Sequence, residues 1–287
     1  MHSIEDKLKK ALEIQSQQPD EAARLFSEVL VQDNSNLEAH NALERMQAAQ
    51  CFGRWMRINC IIDGRDDIFH FFANHELAKN PIREYLSDGW RTLSELMLLL
   101  EKVDRPLLKF ASVLEFAAGY GRFTRHLAVA HPNRVSCSDV MPGSVDFLRA
   151  QFGVTGFESS HDPEKVTFPE NYDLIFVLSM FTHLPTPMWA PWLRVLHGAT
   201  KPGGLLVISV HNQEFAREAG VVFDSAGTHF IASSESPSID NQIYGTTFTT
   251  RQFVENLVRD LFGSVPLLYQ PLAFWHGQDA VVISRNQ

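Results

Sequence analysis

From about residue 112 onward the chain alternates short apolar runs with helical segments. "SVLEF" precedes "GRFTRHLAVA", "RVSCSDV" precedes "GSVDFLRAQF", and "YDLIFVLS" precedes "MWAPWLRVLHGAT". Strands separated by helices need crossover connections, so they pair in parallel and the helices cover both sheet faces. "GFESS" is a weaker strand after the second helix. "LLVISVH" is a strong one after Lys201, Pro202, Gly203 and Gly204 stop the third. The chain closes with "VPLLYQPLAFW" and "DAVVIS", joined by "HGQ", which is too short for a parallel crossover. The expected fold class is therefore α/β: a seven-stranded, mostly parallel sheet with an antiparallel last strand.

The part before residue 104 reads differently. "IEDKLKKALEIQSQQ", "PDEAARLFSEVLVQD" and "NLEAHNALERMQAAQ" are helical, punctuated by Pro19 and the "DNSN" cluster. Ala22, Phe26, Val29 and Leu30 make one apolar face. Residues 18–48 resemble a tetratricopeptide unit over about one repeat, with Asn34 in place of the usual turn proline. A single repeat cannot bury its own faces, so it packs on the rest of the chain or meets a partner, a second copy included. Two further helices lie within 66–102. In the longer one Ile82, Tyr85, Leu86, Trp90, Leu93, Met97 and Leu100 form an apolar stripe. The reading is a helical extension over 1–103, with cap helices at 66–102, followed by one α/β domain over 104–287. About 37 residues, 211–247, carry no clean period and form an insertion in that domain. "TFTTRQFVENLVRDLFG" follows as a helix opened by a capping box from Thr249 to Gln252.

Composition narrows the function classes. The chain of 287 residues is 45% hydrophobic with a formal charge of -9, against the basic surface that phosphate neutralisation demands of a nucleic-acid binder. No apolar stretch reaches spanning length, and the start "MHSIEDKLKKALEIQ" lacks the apolar centre of a signal peptide. Cys51, Cys60 and Cys137 are three cysteines without CxxC spacing, which reads as reduced thiols in a cytoplasmic protein rather than a disulfide framework or zinc site. The histidines form no HExxH or other metal pair.

The chemistry concentrates where the first strand ends. Glu115 and Phe116 lead into Ala117, Ala118, Gly119, Tyr120 and Gly121, a small-residue turn that lets backbone approach a ligand closely. A carboxylate there would repel the pyrophosphate of a dinucleotide. Thr124 also takes the third position of G-x-G-x-x-G, and no GK[ST] marks a P-loop. S-adenosylmethionine carries an ammonium, a sulfonium and no phosphate, so Glu115 favours it over NAD. Asp139 ends the second strand 18 residues after Gly121, where a carboxylate can accept both ribose hydroxyls. Val140 and Met141 follow it and can lie against an adenine.

The run "LEFAAGYGRFTRHL … CSDVMPGSVDFL … YDLIFVLSMFTHLP … WLRVLHGATKPGGLLVISVHN" resembles the class I S-adenosylmethionine-dependent methyltransferases, which have a Rossmann-like fold. It covers residues 112 to about 212. The resemblance implies that Glu115, Gly119 and Gly121 form the acidic-plus-glycine cofactor loop, that Ala117 stands where glycine is usual, and that Asp139 binds the ribose. It also implies that Ser160, His161 or Asp162 lies near the adenine amino group, that Ser179 at the end of the fourth strand contacts the cofactor, and that the segment from Met180 through Pro185 lines the cleft between cofactor and acceptor. His183 is then a candidate base for a hydroxyl acceptor, the alternative being a histidine that only caps the next helix or orients a loop, and His211 is a second candidate. The expected reaction is in-line methyl transfer to a small-molecule or glycan-like acceptor, with 211–247 as a lid in which Asp240, Asn241 and Tyr244 contact a polar substrate. The rival is a non-catalytic partner protein that keeps the fold and binds through its helical arm.

Overall fold

In the computed structural model, residues 3–234, 236–275 and 277–286 are described. Glu235 and His276 lie outside them. The chain divides into two compact units, Met1–Gly89 and Trp90–Gln287.

In the first unit, α1 (Ile4–Ile14), α2 (Pro19–Gln32) and α3 (Leu37–Arg45) share one core. Ala22, Phe26 and Val29 are fully buried there, as the apolar face of α2 requires. The tetratricopeptide-like pair gets its missing cover from Ala11 of α1 and from Cys51. α3 spends its polar face on the chain that follows. Asn41 exchanges two hydrogen bonds with the backbone of Ile62, at 2.8 and 3.0 Å. The His40 ring pairs with the Cys60 carbonyl, and Glu44 accepts from the amides of Phe52 and Gly53. These bonds fix the short α4 (Phe52–Met56), which the sequence pattern did not reveal because five residues carry no period. α5 (Asp67–Asn74) is capped by Asp66, which also accepts from the Tyr85 hydroxyl.

α6 (Pro81–Glu101) begins in the first unit and ends in the second. Ile82, Tyr85, Leu86, Leu93 and Leu100 of its expected stripe are buried, but Trp90 is 54% and Met97 36% exposed. At about 100° per residue, Leu93 and Leu100 stay on the face of Ile82, whereas Trp90 and Met97 fall about 80° and 60° round from it, at the edge of the buried face. In the second half burial passes to Leu93, Leu96, Leu99 and Leu100.

The second unit holds a seven-stranded sheet in the order β3-β2-β1-β4-β5-β9-β8. Its strands are β1 (Val113–Phe116), β2 (Val135–Asp139), β3 (Thr155–Glu158), β4 (Tyr172–Val177), β5 (Thr200–His211), β8 (Leu268–Phe274) and β9 (Gln278–Ser284). β1 to β5 pair in parallel, and β9 is antiparallel to both β5 and β8. Period-two alternation feeds two cores. Val113, Leu174, Phe176, Leu205 and Val207 face the second half of α6, α7 (Thr124–Ala130) and α8 (Ser144–Phe152). Leu114, Ile175, Val177, Leu206 and Ile208 face α9 (Trp189–Ala199) and α11 (Arg251–Phe262). Strand order reverses between β1 and β4, so loops after the two strands diverge and leave a crevice at the carboxyl edge.

The insertion has structure of its own. α10 (Gln213–Glu218) is capped by Asn212, and β6 (Thr228–Ile231) pairs with β7 (Thr246–Thr249) as an antiparallel ribbon. This shifts the start of α11: Thr249 belongs to the ribbon, and Thr250 is the N-cap, its hydroxyl accepting from Phe253. β-branched Thr246, Thr247 and Thr249 fit a pleated strand better than a helix turn. Among the described residues no helix is long and apolar enough to cross a membrane.

Candidate functional site

β1 delivers Glu115 to the carboxyl edge of the sheet with 5% exposure. Its Oε2 accepts a 2.6 Å hydrogen bond from the hydroxyl of Thr124, the first residue of the following helix. Burial pushes this carboxyl up to about 8, against the lowering pull of that hydroxyl and of the Arg122 charge, while Asp139 pushes it further up. The turn between is left-handed at three points: Ala117 has φ 62°, Gly119 55° and Gly121 83°. The two glycines serve different ends. A Cβ on Gly121 would fall 2.4 Å from Leu148 and 2.6 Å from Phe152, so α8 packs against bare backbone there. A Cβ on Gly119 would meet nothing within 4 Å, so this glycine presents backbone to open space. Ala117 holds a glycine conformation with a side chain, at a steric cost. Tyr120 contributes no exposed side chain. Its ring is buried against Phe147 and its hydroxyl donates to the Pro142 carbonyl, tying the loop after β1 to the loop after β2. Arg125, buried in α7, donates from Nε to the Gly121 carbonyl and lies over the Phe152 ring.

Asp139, at the end of β2, stands beside this turn. One carboxylate oxygen accepts from the Gly119 amide and the other from the Met141 amide, both at 2.7 Å. Val140 and Met141 are half-buried beyond it. The Asp139 carbonyl accepts from Ser159, which brings the start of the segment after β3 to the same edge. There Ser160 accepts from the Asp162 amide, and Asp162 caps a short turn of 3-10 helix. Glu115, Ala117, Gly119, Gly121, Asp139, Val140, Met141 and Ser160 thus lie on consecutive loops along one sheet edge.

A second group forms after β4 and β5. Ser179 has φ 63°, and every polar group it carries is engaged: its amide donates to Ser209, its hydroxyl accepts from Gln278 at 3.0 Å, and its carbonyl accepts from Thr182. Strain held at so many points is the kind that surrounding structure must over-determine. His183 is 5% exposed, its Nδ1 2.6 Å from the Gly245 carbonyl and its ring stacked on Tyr244. His211 is half-buried, its Nδ1 2.8 Å from the Thr247 carbonyl and its ring stacked on Phe248. The two imidazole centroids are 6.4 Å apart. A carbonyl only accepts, so each Nδ1 carries hydrogen and each Nε2 holds the lone pair of the neutral ring. Of the polar insertion residues, Tyr244 reaches this cluster, whereas Asp240 and Asn241 are exposed and Asp240 caps its own turn.

The sequence pattern did not single out Thr124 as the partner of Glu115, nor Ser209, Gln278 and Thr247. Thr124 carried a signal, a hydroxyl one helical turn past the glycine loop. Gln278 arrives from the last hairpin and carried none. Among the described residues no group of three or more His, Cys, Asp or Glu could hold a metal ion.

Comparison with known proteins agrees with this geometry. Residues 113–204 match a family model described as "Methyltransferase domain". A search of curated proteins gives no match. Among solved structures, an S-adenosylmethionine-dependent methyltransferase from Clostridium acetobutylicum is 12% identical with TM-score 0.51, over 70% of this chain and 93% of that one. The 1,6-didemethyltoxoflavin-N1-methyltransferase of Burkholderia thailandensis, with S-adenosylhomocysteine bound, is 18% identical with TM-score 0.51, over 71% and 82%. CalS10, an amino pentose methyltransferase from Micromonospora echinaspora, is 14% identical with TM-score 0.50, over 74% and 100%. At these identities the structures speak for the fold, and the family match speaks for the segment that carries the glycine loop and both acids. Residues 113–204 thus match a methyltransferase domain, and the sheet that holds them has the Rossmann-like, mostly parallel seven-stranded fold seen in S-adenosylmethionine-dependent methyltransferases.

Proposed function

We propose that this protein moves the methyl group of S-adenosylmethionine to a hydroxyl of a small-molecule or glycan-like acceptor. The observation that carries the cofactor is the loop after β1. It offers bare backbone at Gly119, a buried acid at Glu115 and a second acid, Asp139, held by two amides. That donor set suits a ligand with an ammonium and a ribose diol and no phosphate. Glu115 would face the ammonium, Asp139 the ribose hydroxyls, and Val140, Met141 and Ser160 the adenine. The cofactor supplies an activated methyl group. The chain's own share is to exclude water and align the acceptor, and alignment is where much of the barrier is lowered.

The hydroxyl acceptor rests on His183. Its ring is oriented by Gly245 and Tyr244 with the lone pair on Nε2, the tautomer a general base needs. His211 is oriented in the same way and would stand in the same role or bind the acceptor. Two relatives of similar fold are described by nitrogen-bearing acceptors, a toxoflavin N1 position and an amino pentose. An amine already free needs little help from a base, so the His183→Ala variant separates the cases.

The test is calorimetric titration with S-adenosylmethionine, S-adenosylhomocysteine and NAD, followed by an acceptor screen. Binding of the first two without NAD is expected. Asp139→Ala should weaken it at least tenfold, about 1.4 kcal/mol; an unchanged affinity removes Asp139 from the site. His183→Ala should lower turnover with cofactor affinity kept, and full turnover in that variant removes the base and points to an amine or thiol acceptor.

A further inference from the structure

Two carboxylates stand at the ends of adjacent parallel strands, and their surroundings differ sharply. Asp139 receives two main-chain N–H groups at 2.7 Å, one on each oxygen. Donors of that kind stabilise a negative charge. Glu115 is buried and shares a hydrogen bond with a hydroxyl, Thr124, which can accept a proton-bearing bond as readily as donate one. Apart from that hydroxyl and the Arg122 charge, the groups around Glu115 do little for an anion. On β2, Cys137 is a fully buried thiol held neutral by burial and by the nearby acids. Asp139 of the same strand repels a second negative charge. On β4 its register partner is Phe176, which is apolar and buried. From the loop, Arg122 attracts, and its guanidinium is placed over the Trp275 ring. Where two acids meet in unequal environments, one keeps the charge and the other the proton. Here the environments assign the charge to Asp139 and the proton to Glu115.

We propose that Glu115 is stored protonated in the ligand-free protein and gives up its proton when the cofactor's ammonium arrives, so that cofactor uptake releases a proton. The inference rests on the S-adenosylmethionine reading above. The proton passes to solvent buffer, and the buried carboxylate left behind is neutralised by the ammonium that displaced it. A buried carboxylate is costly alone and tolerable when paired. The arrangement therefore discriminates: a ligand without a cationic group cannot draw the proton off and does not gain the ion pair. The sign of the pH dependence follows. Below the titration of ligand-free Glu115 the protein must lose a proton to bind, so affinity rises as pH rises, by up to tenfold per unit for one proton.

The experiment is calorimetry of the full chain with S-adenosylhomocysteine at pH 6 and 7, in buffers of low and high ionisation enthalpy. The dependence of apparent heat on buffer counts protons. Close to one proton released and a nearly tenfold tighter affinity at pH 7 than at pH 6 are expected. Glu115→Gln, near in shape to the protonated acid, should abolish both. Methylthioadenosine, which lacks the amino acid portion, is a second measurement that needs no variant, and it should bind to the native chain with no release. Binding of S-adenosylhomocysteine without proton release overturns the inference and leaves the cofactor reading standing. Release that persists in Glu115→Gln, or that methylthioadenosine reproduces, also overturns it, because the proton then belongs to another group or another contact. Failure of S-adenosylmethionine and S-adenosylhomocysteine to bind at either pH overturns the cofactor reading, and this inference with it.

Discussion

Three residues of the turn after β1 share a left-handed backbone, and each should respond differently to substitution. Ala117 pays for its Cβ at φ 62°. Ala117→Gly should stabilise the protein by about 1 kcal/mol, the steric relief exceeding the entropy that glycine adds to the unfolded chain. Gly121→Ala should cost about 2 kcal/mol or more, because the added methyl would drive into Leu148 and Phe152 as well as strain the backbone. Gly119→Ala meets open space, so its folding cost is the backbone strain alone, about 1–2 kcal/mol. Its larger effect should be on ligand affinity, since the methyl would occupy the ground a cofactor needs. Urea unfolding and S-adenosylhomocysteine titration of the three variants check the order. Equal ligand loss in Gly119→Ala and Gly121→Ala, after correction for folding, would mean that the loop does not present Gly119 to the cofactor.

At the scale of elements, the ribbon β6–β7 is laced to the loop after β4. The Gly245 amide donates to the His183 carbonyl, the Thr247 amide to that of Thr182, and the Thr247 hydroxyl to that of Leu184 at 2.6 Å. The same short stretch supplies the carbonyls that orient both histidines. Thr247→Val keeps the shape and removes one bond. The Leu184 carbonyl retains its bond from the Trp189 indole, so no buried acceptor is orphaned and the loss should be about 1 kcal/mol. Amide exchange at Gly245 and Thr247 should speed up while the sheet core keeps its protection; unchanged exchange would show that the hydroxyl is not what fastens the ribbon. None of this lacing could be read from sequence. β1, β4, β5 and β9 were legible because each is a largely buried apolar run bounded by breakers, and Glu115 and Asp139 because each is an acid at the end of a strand. β6 is four partly exposed residues, and β7 runs straight into Thr250, the cap of α11, in one run of threonines. Ser209 and Gln278 reach Ser179 from 30 and 99 residues away in the chain. Pairing over such separations leaves no local period. The stripe of α6 was legible along its whole length from Ile82 to Leu100, but an apolar residue at its edge, such as Trp90 or Met97, cannot be told in sequence from one at its centre.

For the whole molecule, every residue assigned to the site, from Glu115 to Gln278, belongs to the unit Trp90–Gln287. That unit covers both faces of its sheet with its own helices, α7, α8 and the second half of α6 on one side and α9 and α11 on the other. A chain beginning at Pro81 should therefore fold cooperatively. The cut strips the first unit's core from Ile82, Tyr85 and Leu86, and bare apolar side chains invite association. Polar replacements at those three positions belong in the truncated chain, and they touch neither sheet core. The expected result is S-adenosylhomocysteine affinity within about threefold of the full chain, a difference of about 0.7 kcal/mol at most. If acceptor turnover falls while cofactor affinity holds, the helical unit serves the acceptor. A folded truncation that has lost the cofactor would instead place part of the cofactor's binding before residue 81, where neither the glycine loop nor its acids can account for it.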